Sequence, residues 1–249
     1  MRIKLRPLFV PTVIVACVVL LMSLAHRAPS ETAMRVMEYA SARGIAFSEY
    51  PDSLIDLLDR NPETEDFVLN YPFRTEKKVE LDGYDIGRGV PLFLQWDEQW
   101  GYLTYGNDFV AVNGSGPMCL SMVGCYVTGG DESFSPDRMV AFAQDKGYTS
   151  KGNGSSRTLI TQGAGMLGLQ VRELPLVEQK IADYLHNGSP IIALLRAGDF
   201  SDSGHYIVIT DYDDGMFSIN DPESRGNSAA QWPYGELITQ IRTLWVIGT

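Results

Sequence analysis

Two short apolar runs, residues 206–210 and 216–219, are separated by Asp213-Asp214-Gly215, and no other stretch of the 249 residues restricts the fold so tightly. An Asp-Gly pair between β-rich segments is the signal of a tight hairpin turn, because glycine accepts the positive φ that such turns demand. The two runs are therefore expected to pair antiparallel. A third apolar run, 191–195, precedes them, and Leu244-Trp245-Val246 supplies a last strand.

Ahead of these strands the pattern is mainly helical. Gly116-Pro117 opens a helix running to Thr128, with proline at its first position, and Ser135-Pro136-Asp137 opens another that ends near Gly147. Residues 156–167 and 178–186 also read as helices, and 234–241 reads as one between the later strands. Helices first and an antiparallel sheet afterwards define an α+β order. No internal repeat is present.

Upstream, residues 31–43 and 51–60 read as helical, the second with Leu54, Ile55, Leu57 and Leu58 on one stripe and Asn61-Pro62 ending it. The polar stretch 74–88 reads as a linker or solvated hairpin. Three segments result: 1–27 as a membrane anchor or signal, 28–89 as a helical lead-in and linker, and 90–249 as the compact domain.

Residues 7–25 carry no charge, and nineteen residues just span an apolar bilayer core of about 30 Å. Arg2, Lys4 and Arg6 precede the run and acidic sequence follows it, which places the N-terminus inside and the body outside. The expected location is thus a bacterial cell membrane, single-pass, with the domain outside the cell. Cleavage as a signal peptide near Ser23-Leu24-Ala25 is the alternative, and lipidation at Cys17 a weaker one. Four of the 20 basic residues (Arg2, Lys4, Arg6, Arg27) flank the run, leaving 16 against 31 acids in the body. Nucleic acid and anionic membrane surfaces are excluded as partners by that balance, and basic or neutral ligands are mildly favoured. Cys119 and Cys125 lie six apart in one helix, too far around its axis to bridge, so free thiols are expected.

Three local patterns carry chemistry. The first is Pro91-Leu92-Phe93-Leu94-Gln95-Trp96-Asp97, followed by Trp100 and Tyr105-Gly106. The second, Gly114-Ser115-Gly116-Pro117-Met118-Cys119, feeds a helix N-terminus, and the third is Gly204-His205 followed by Asn220-Asp221-Pro222. Amide cleavage by a nucleophile needs a helix N-terminus that favours an anion, a histidine as base and acid, a group that orients the imidazole, and a further oxyanion donor. Gln95, His205 and Asp221 suit the last three roles. Antiparallel pairing across the 213–215 turn would bring His205, at the start of one strand, beside Asp221, at the end of its neighbour.

In this order the patterns resemble those of the C39-like peptidases, relatives of the bacteriocin-leader peptidases with a papain-like fold, over roughly residues 90–247. The resemblance implies a papain-like cysteine peptidase fold after an N-terminal transmembrane helix, with Gln95 as oxyanion donor, His205 as general base and Asp221 as its orienting partner. It implies a peptide or cell-wall peptide substrate, no cofactor and no metal. Asp211, Asp213 and Asp214 are explained by the hairpin turn.

Ser115 departs from the resemblance, since the family has cysteine immediately before Gly-Pro. Cys119 lies one helical turn further on, about 6 Å along the same face. A hydroxyl is far harder to ionise than a thiol, whose unperturbed pKa is about 8.5. Two functions follow as expectations: hydrolysis of peptide or amide bonds with Gln95, Ser115, His205 and Asp221 as the catalytic set, or a pseudopeptidase that holds peptide or cell-wall ligands in the same cleft uncut.

Overall fold

The computed structural model describes residues 29–150 and 154–248. The 7–25 run lies outside the described residues; among those described, no helix is long and apolar enough to cross a membrane. The chain divides into two compact units, 1–47 and 48–249. In the first, helix α1 (Glu31–Ala42) is capped by Ser30, whose hydroxyl accepts from the Ala33 N–H at 3.1 Å.

The second unit begins at Ser48 and takes in the rest of the lead-in. Helix α2 (Asp52–Arg60) buries Leu54, Ile55, Leu57 and Leu58, as its stripe requires, and Asn61 ends it. A short helix α3 (Glu65–Leu69) and a two-stranded ribbon of β1 (Thr104–Tyr105) and β2 (Asp108–Phe109) follow. Between them, stretch 74–88 is mostly exposed, although Val79, Leu81, Tyr84 and Ile86 rest on the core.

Helix α4 (Val110–Asn113) turns directly into α5 (Ser115–Val127), and Gly114 makes the junction possible. A Cβ there would lie 2.5 Å from the carbonyl oxygen of Val110. The helix begins at Ser115, so Pro117 is its third residue; all of the first-turn N–H groups lack intrahelical partners, and a proline is tolerated there too. Helix α6 (Pro136–Asp145) lies beside α5. Residues 156–167 depart from the single α-helix expected of them: a π-helical stretch spans Leu159–Gly163 and passes directly into one α-helical turn, Ala164–Met166.

Six strands form the main sheet: β3 (Gln170–Leu174), β4 (Ile191–Leu195), β5 (His205–Asp213), β6 (Met216–Asn220), β7 (Gln231–Pro233) and β8 (Ile241–Gly248). Their spatial order is β3-β8-β4-β5-β6-β7, and every pairing is antiparallel. The β5–β6 turn contains Asp214 at φ 45° and Gly215 at φ 80°, the two positive values a primed hairpin turn needs.

Side chains alternate across the sheet and divide the core in two. Ile192, Leu194, Tyr206, Val208 and Trp245 face α5 and α6, while Ile191, Ala193, Leu195, Ile207 and Leu244 face the opposite layer. That layer is helix α7 (Glu178–His186), with Ile181 and Leu185, and helix α9 (Tyr234–Gln240), with Leu237; between β6 and β7 lies the short helix α8 (Arg225–Ala229). Strand β4 is buried at every position because both of its faces are covered, which is why its sequence is apolar without alternation.

Candidate active site

At one end of the sheet, the β5–β6 pairing brings the start of one strand to the end of the other. His205 Nε2 lies 2.7 Å from Asp221 Oδ1, with both side chains buried. Asp221 is then gripped from its own loop. Its Oδ1 also accepts from the Glu223 N–H at 2.9 Å, its Oδ2 from Asn227 Nδ2 at 2.7 Å, and its backbone N–H donates to Ser228 Oγ at 2.8 Å. Burial opposes ionisation of Asp221, yet the facing His205 charge and these hydrogen bonds outweigh it and hold the carboxyl below its ordinary value. For His205, burial disfavours the imidazolium, but the charge and hydrogen bond of Asp221, with Glu223 beyond, raise its pKa above the usual 6.5.

The other ring nitrogen of His205 faces a group that the motifs did not reveal. Nδ1 is 3.9 Å from Glu223 Oε2, and Glu223 Oε1 is 3.3 Å from Arg60 Nε. Asp221, His205, Glu223 and Arg60 thus form a row of alternating charge whenever the imidazole is protonated. Glu223 follows Asp221 by two residues, so the hairpin reading could have found it. Arg60 lies far upstream, and nothing in its sequence context points to the site.

Ser115, the first residue of α5, is 9% exposed and lines the same cleft as His205. Among the described residues no hydrogen bond joins Ser115 to His205, whose ring is committed to Asp221 and faces Glu223. Cys119 is fully buried in the core between α5 and the sheet and does not line the cleft. Burial, with the Asp221 charge, pushes its thiol well above the ordinary value, and Cys125 is pushed up to about 11, chiefly by burial. Both are free thiols.

Gln95 reaches the cleft from the loop before the β1–β2 ribbon. Its N–H donates to the Pro222 carbonyl at 2.7 Å, and its Nε2 to the Ala111 carbonyl at 2.7 Å, which ties it to both the Asp221 loop and α4. Its buried Oε1 has no hydrogen-bond partner among the described residues. Trp96 supports the site from behind, with Nε1 donating to the Glu223 carbonyl at 2.7 Å, whereas Trp100 is a core residue bonded to the Leu94 carbonyl.

The cleft has a volume of about 390 Å³. Its far wall is the loop 198–204, which contributes Asp199 and Asp202, and among the described residues lining it Arg60 is the one lysine or arginine. The four sequence-predicted residues are therefore distributed as follows: Gln95, Ser115 and His205 border the cleft, and Asp221, bonded to His205, lies behind it and does not line the cleft.

A helix N-terminus, a paired histidine and aspartate, and a glutamine converge on one cleft. The Peptidase_C39 like family model matches residues 88–246, and the chain belongs to that family. Among solved structures, the chain is similar to the peptidase domain of Streptococcus ComA, a bi-functional ABC transporter involved in a quorum sensing pathway. The two share 19% identity over 59% of this chain and 98% of that one, with a TM-score of 0.43. It is also similar to a C39-like peptidase from Bacillus anthracis, at 13% identity, 68% and 98% coverage and a TM-score of 0.45. No curated protein matches it.

Proposed function

We propose that the cleft binds peptide segments and, with serine in the nucleophile position, does not cut them at the rate of a cysteine peptidase. The observation that carries this reading is that no thiol is among the described residues lining the cleft: Ser115, at the helix N-terminus, lines it together with His205, and Cys119 is sealed in the core. Asp199, Asp202 and Glu223 around one arginine favour a peptide that carries a basic side chain. The domain is held on the outer face of a bacterial membrane by the 7–25 run, which makes cell-wall or exported peptides the ligands within reach.

Hydrolysis by Ser115 itself is the competing reading, favoured by the intact His205–Asp221 pair. A Ser115→Cys variant tested with a thiol-directed peptidase probe separates the two. Labelling of that variant, with the parent unlabelled and unable to turn over a peptide library, supports a preserved cleft without its nucleophile. Peptide turnover by the parent that disappears in Ser115→Ala would overturn the proposal.

A further inference from the structure

The lead-in reaches the site through one turn. Immediately after α2, Asn61 Nδ2 donates to the Glu223 carbonyl at 2.7 Å and Asn61 Oδ1 accepts from the Glu63 N–H at 3.1 Å, which presents Glu63 to the start of α8. Glu63 Oε1 accepts from Ser224 Oγ at 2.7 Å and from the Gly226 N–H at 3.1 Å, and its Oε2 accepts from the Arg225 N–H at 2.8 Å. Both carboxylate oxygens are thus spent on a helix that begins some 160 residues later in the chain.

Helix α8 has five residues, too few to hold itself together in water. Its first N–H groups lack intrahelical acceptors, and a carboxylate placed on them supplies hydrogen bonds and a favourable dipole interaction together. The same helix delivers the groups that fix Asp221. Asn227 Nδ2 bonds Asp221 Oδ2, Ser228 Oγ accepts the Asp221 N–H, and Ser224 Oγ caps the helix by accepting from the Asn227 N–H at 3.1 Å. A continuous line of hydrogen bonds therefore runs from Glu63 through α8 to Asp221 and on to His205.

We propose that Glu63 is a positioning residue for the His205–Asp221 pair, acting through α8, so that the functional cleft includes a part of the chain outside the 88–246 segment matched by the family. The hydrogen bonds from Ser224, Gly226 and Arg225 outweigh burial and hold the Glu63 carboxyl below its ordinary value, which keeps it ionised across the neutral range. The proposal concerns the site named above but stands whether that site cuts or only binds, because its test reads the imidazole itself.

The experiment is a pH titration of the histidine side chains by NMR in the full-length, histidine-labelled chain. Glu63→Ala and Glu63→Gln are compared with the parent, and melting is recorded in parallel. His186, whose Nε2 meets the Tyr212 carbonyl at 2.8 Å, serves as an internal reference. Glu63→Ala is expected to loosen the hold of Asn227 on Asp221 and lower the His205 midpoint by about 0.5 pH or more, with His186 unmoved. Glu63→Gln keeps the Oε1 bonds and turns a donor toward the Arg225 N–H, so its effect should be smaller in the same direction. A fall in melting temperature with the His205 midpoint unchanged in both variants would show Glu63 to be a fold-stabilising residue only and would overturn the proposal. Should Glu63→Ala not fold, Glu63→Gln alone decides by the same criterion. Loss of peptide binding with an unmoved His205 midpoint also counts against it, and leaves the binding proposal standing.

Discussion

Asp221→Ala removes the counter-charge of a fully buried histidine, and the structure allows its consequence to be worked out with pH. His205 is 3% exposed and bonds Asp221 at 2.7 Å; after truncation its nearest acid is Glu223, at 3.9 Å. Breaking a buried ion pair by deleting one partner costs about 3–5 kcal/mol. In a unit of this size each kcal/mol moves the midpoint by roughly 2–4 °C, so melting should fall by about 6–20 °C. The sign with pH follows from the two directions of shift. The folded pKa of His205 is raised, so its contribution is fully present below 6.5, the unfolded value, and is lost as pH rises through the folded value. The folded pKa of Asp221 is lowered, so its contribution is present above 3.8 and is lost as pH falls through the folded value. The parent should therefore be most stabilised by this pair between about pH 4 and 6.5. Thermal melts of parent, Asp221→Ala and Asp221→Asn at pH 5.5 and pH 9 test this. At pH 5.5 the alanine variant should show the full loss, while at pH 9 the gap should narrow toward the cost of the lost hydrogen bonds, about 1–3 kcal/mol. Asparagine retains an acceptor for the Glu223 N–H and isolates the charge. A gap equal at both pH values, or under about 1 kcal/mol at pH 5.5, would refute the reasoning.

Cys119 and Cys125 should resist iodoacetamide in the folded chain at pH 7.5 and react on denaturation, read by mass mapping of their peptides, since burial raises both thiols. Ser115→Cys should instead react fast at neutral pH. A thiol of ordinary pKa is only about 3% ionised at pH 7, and a helix N-terminus near an imidazolium brings such thiols to about 3.5–7.5, so the thiolate fraction rises by roughly eight- to thirty-fold and alkylation should be several-fold faster than for free cysteine. Gly124→Ala would place a Cβ 2.1 Å from the Phe134 ring, and overpacking of that kind should cost about 1–3 kcal/mol by denaturant melts. Arg60→Ala breaks an ion pair whose arginine is 43% exposed and should cost no more than about 1 kcal/mol, screened further by salt.

How much of this was legible in the sequence depended on range. The β5–β6 hairpin was written locally in Asp213-Asp214-Gly215, and it carried the His205–Asp221 contact with it, because antiparallel register converts sequence spacing into proximity. The start of α5 was legible to within two residues for the same reason, through Gly116-Pro117, although proline is third in the helix and not first. Strands β3 and β7 were not. Gln170–Leu174 alternates poorly and has only one buried position, and Gln231–Pro233 is a three-residue edge strand, so neither carries a period-two signal strong enough to see. The contacts of Arg60, Asn61 and Glu63 with the 223–226 loop leave no local mark at all. They depend on where α2 ends in space, and a single sequence contains nothing that pairs residue 63 with residue 226.

The electrostatics around His205 bear directly on what a serine at position 115 can do. A serine nucleophile needs a neutral imidazole to take its proton, whereas a cysteine nucleophile works from a thiolate beside an imidazolium. Here Asp221 bonds one ring nitrogen, Glu223 stands near the other, and together they raise the pKa of the ring above its ordinary value despite complete burial. Such surroundings favour the charged ring, the state that a thiolate partner requires, while a hydroxyl draws on the neutral fraction of the ring. The site thus has the charge arrangement that a thiolate at this position would use. Glu223 strengthens that bias, because its carboxylate occupies the side of the ring that is not committed to Asp221. A cysteine placed at position 115 would therefore meet surroundings suited to a thiolate, whereas Ser115 has to draw on the neutral fraction of His205.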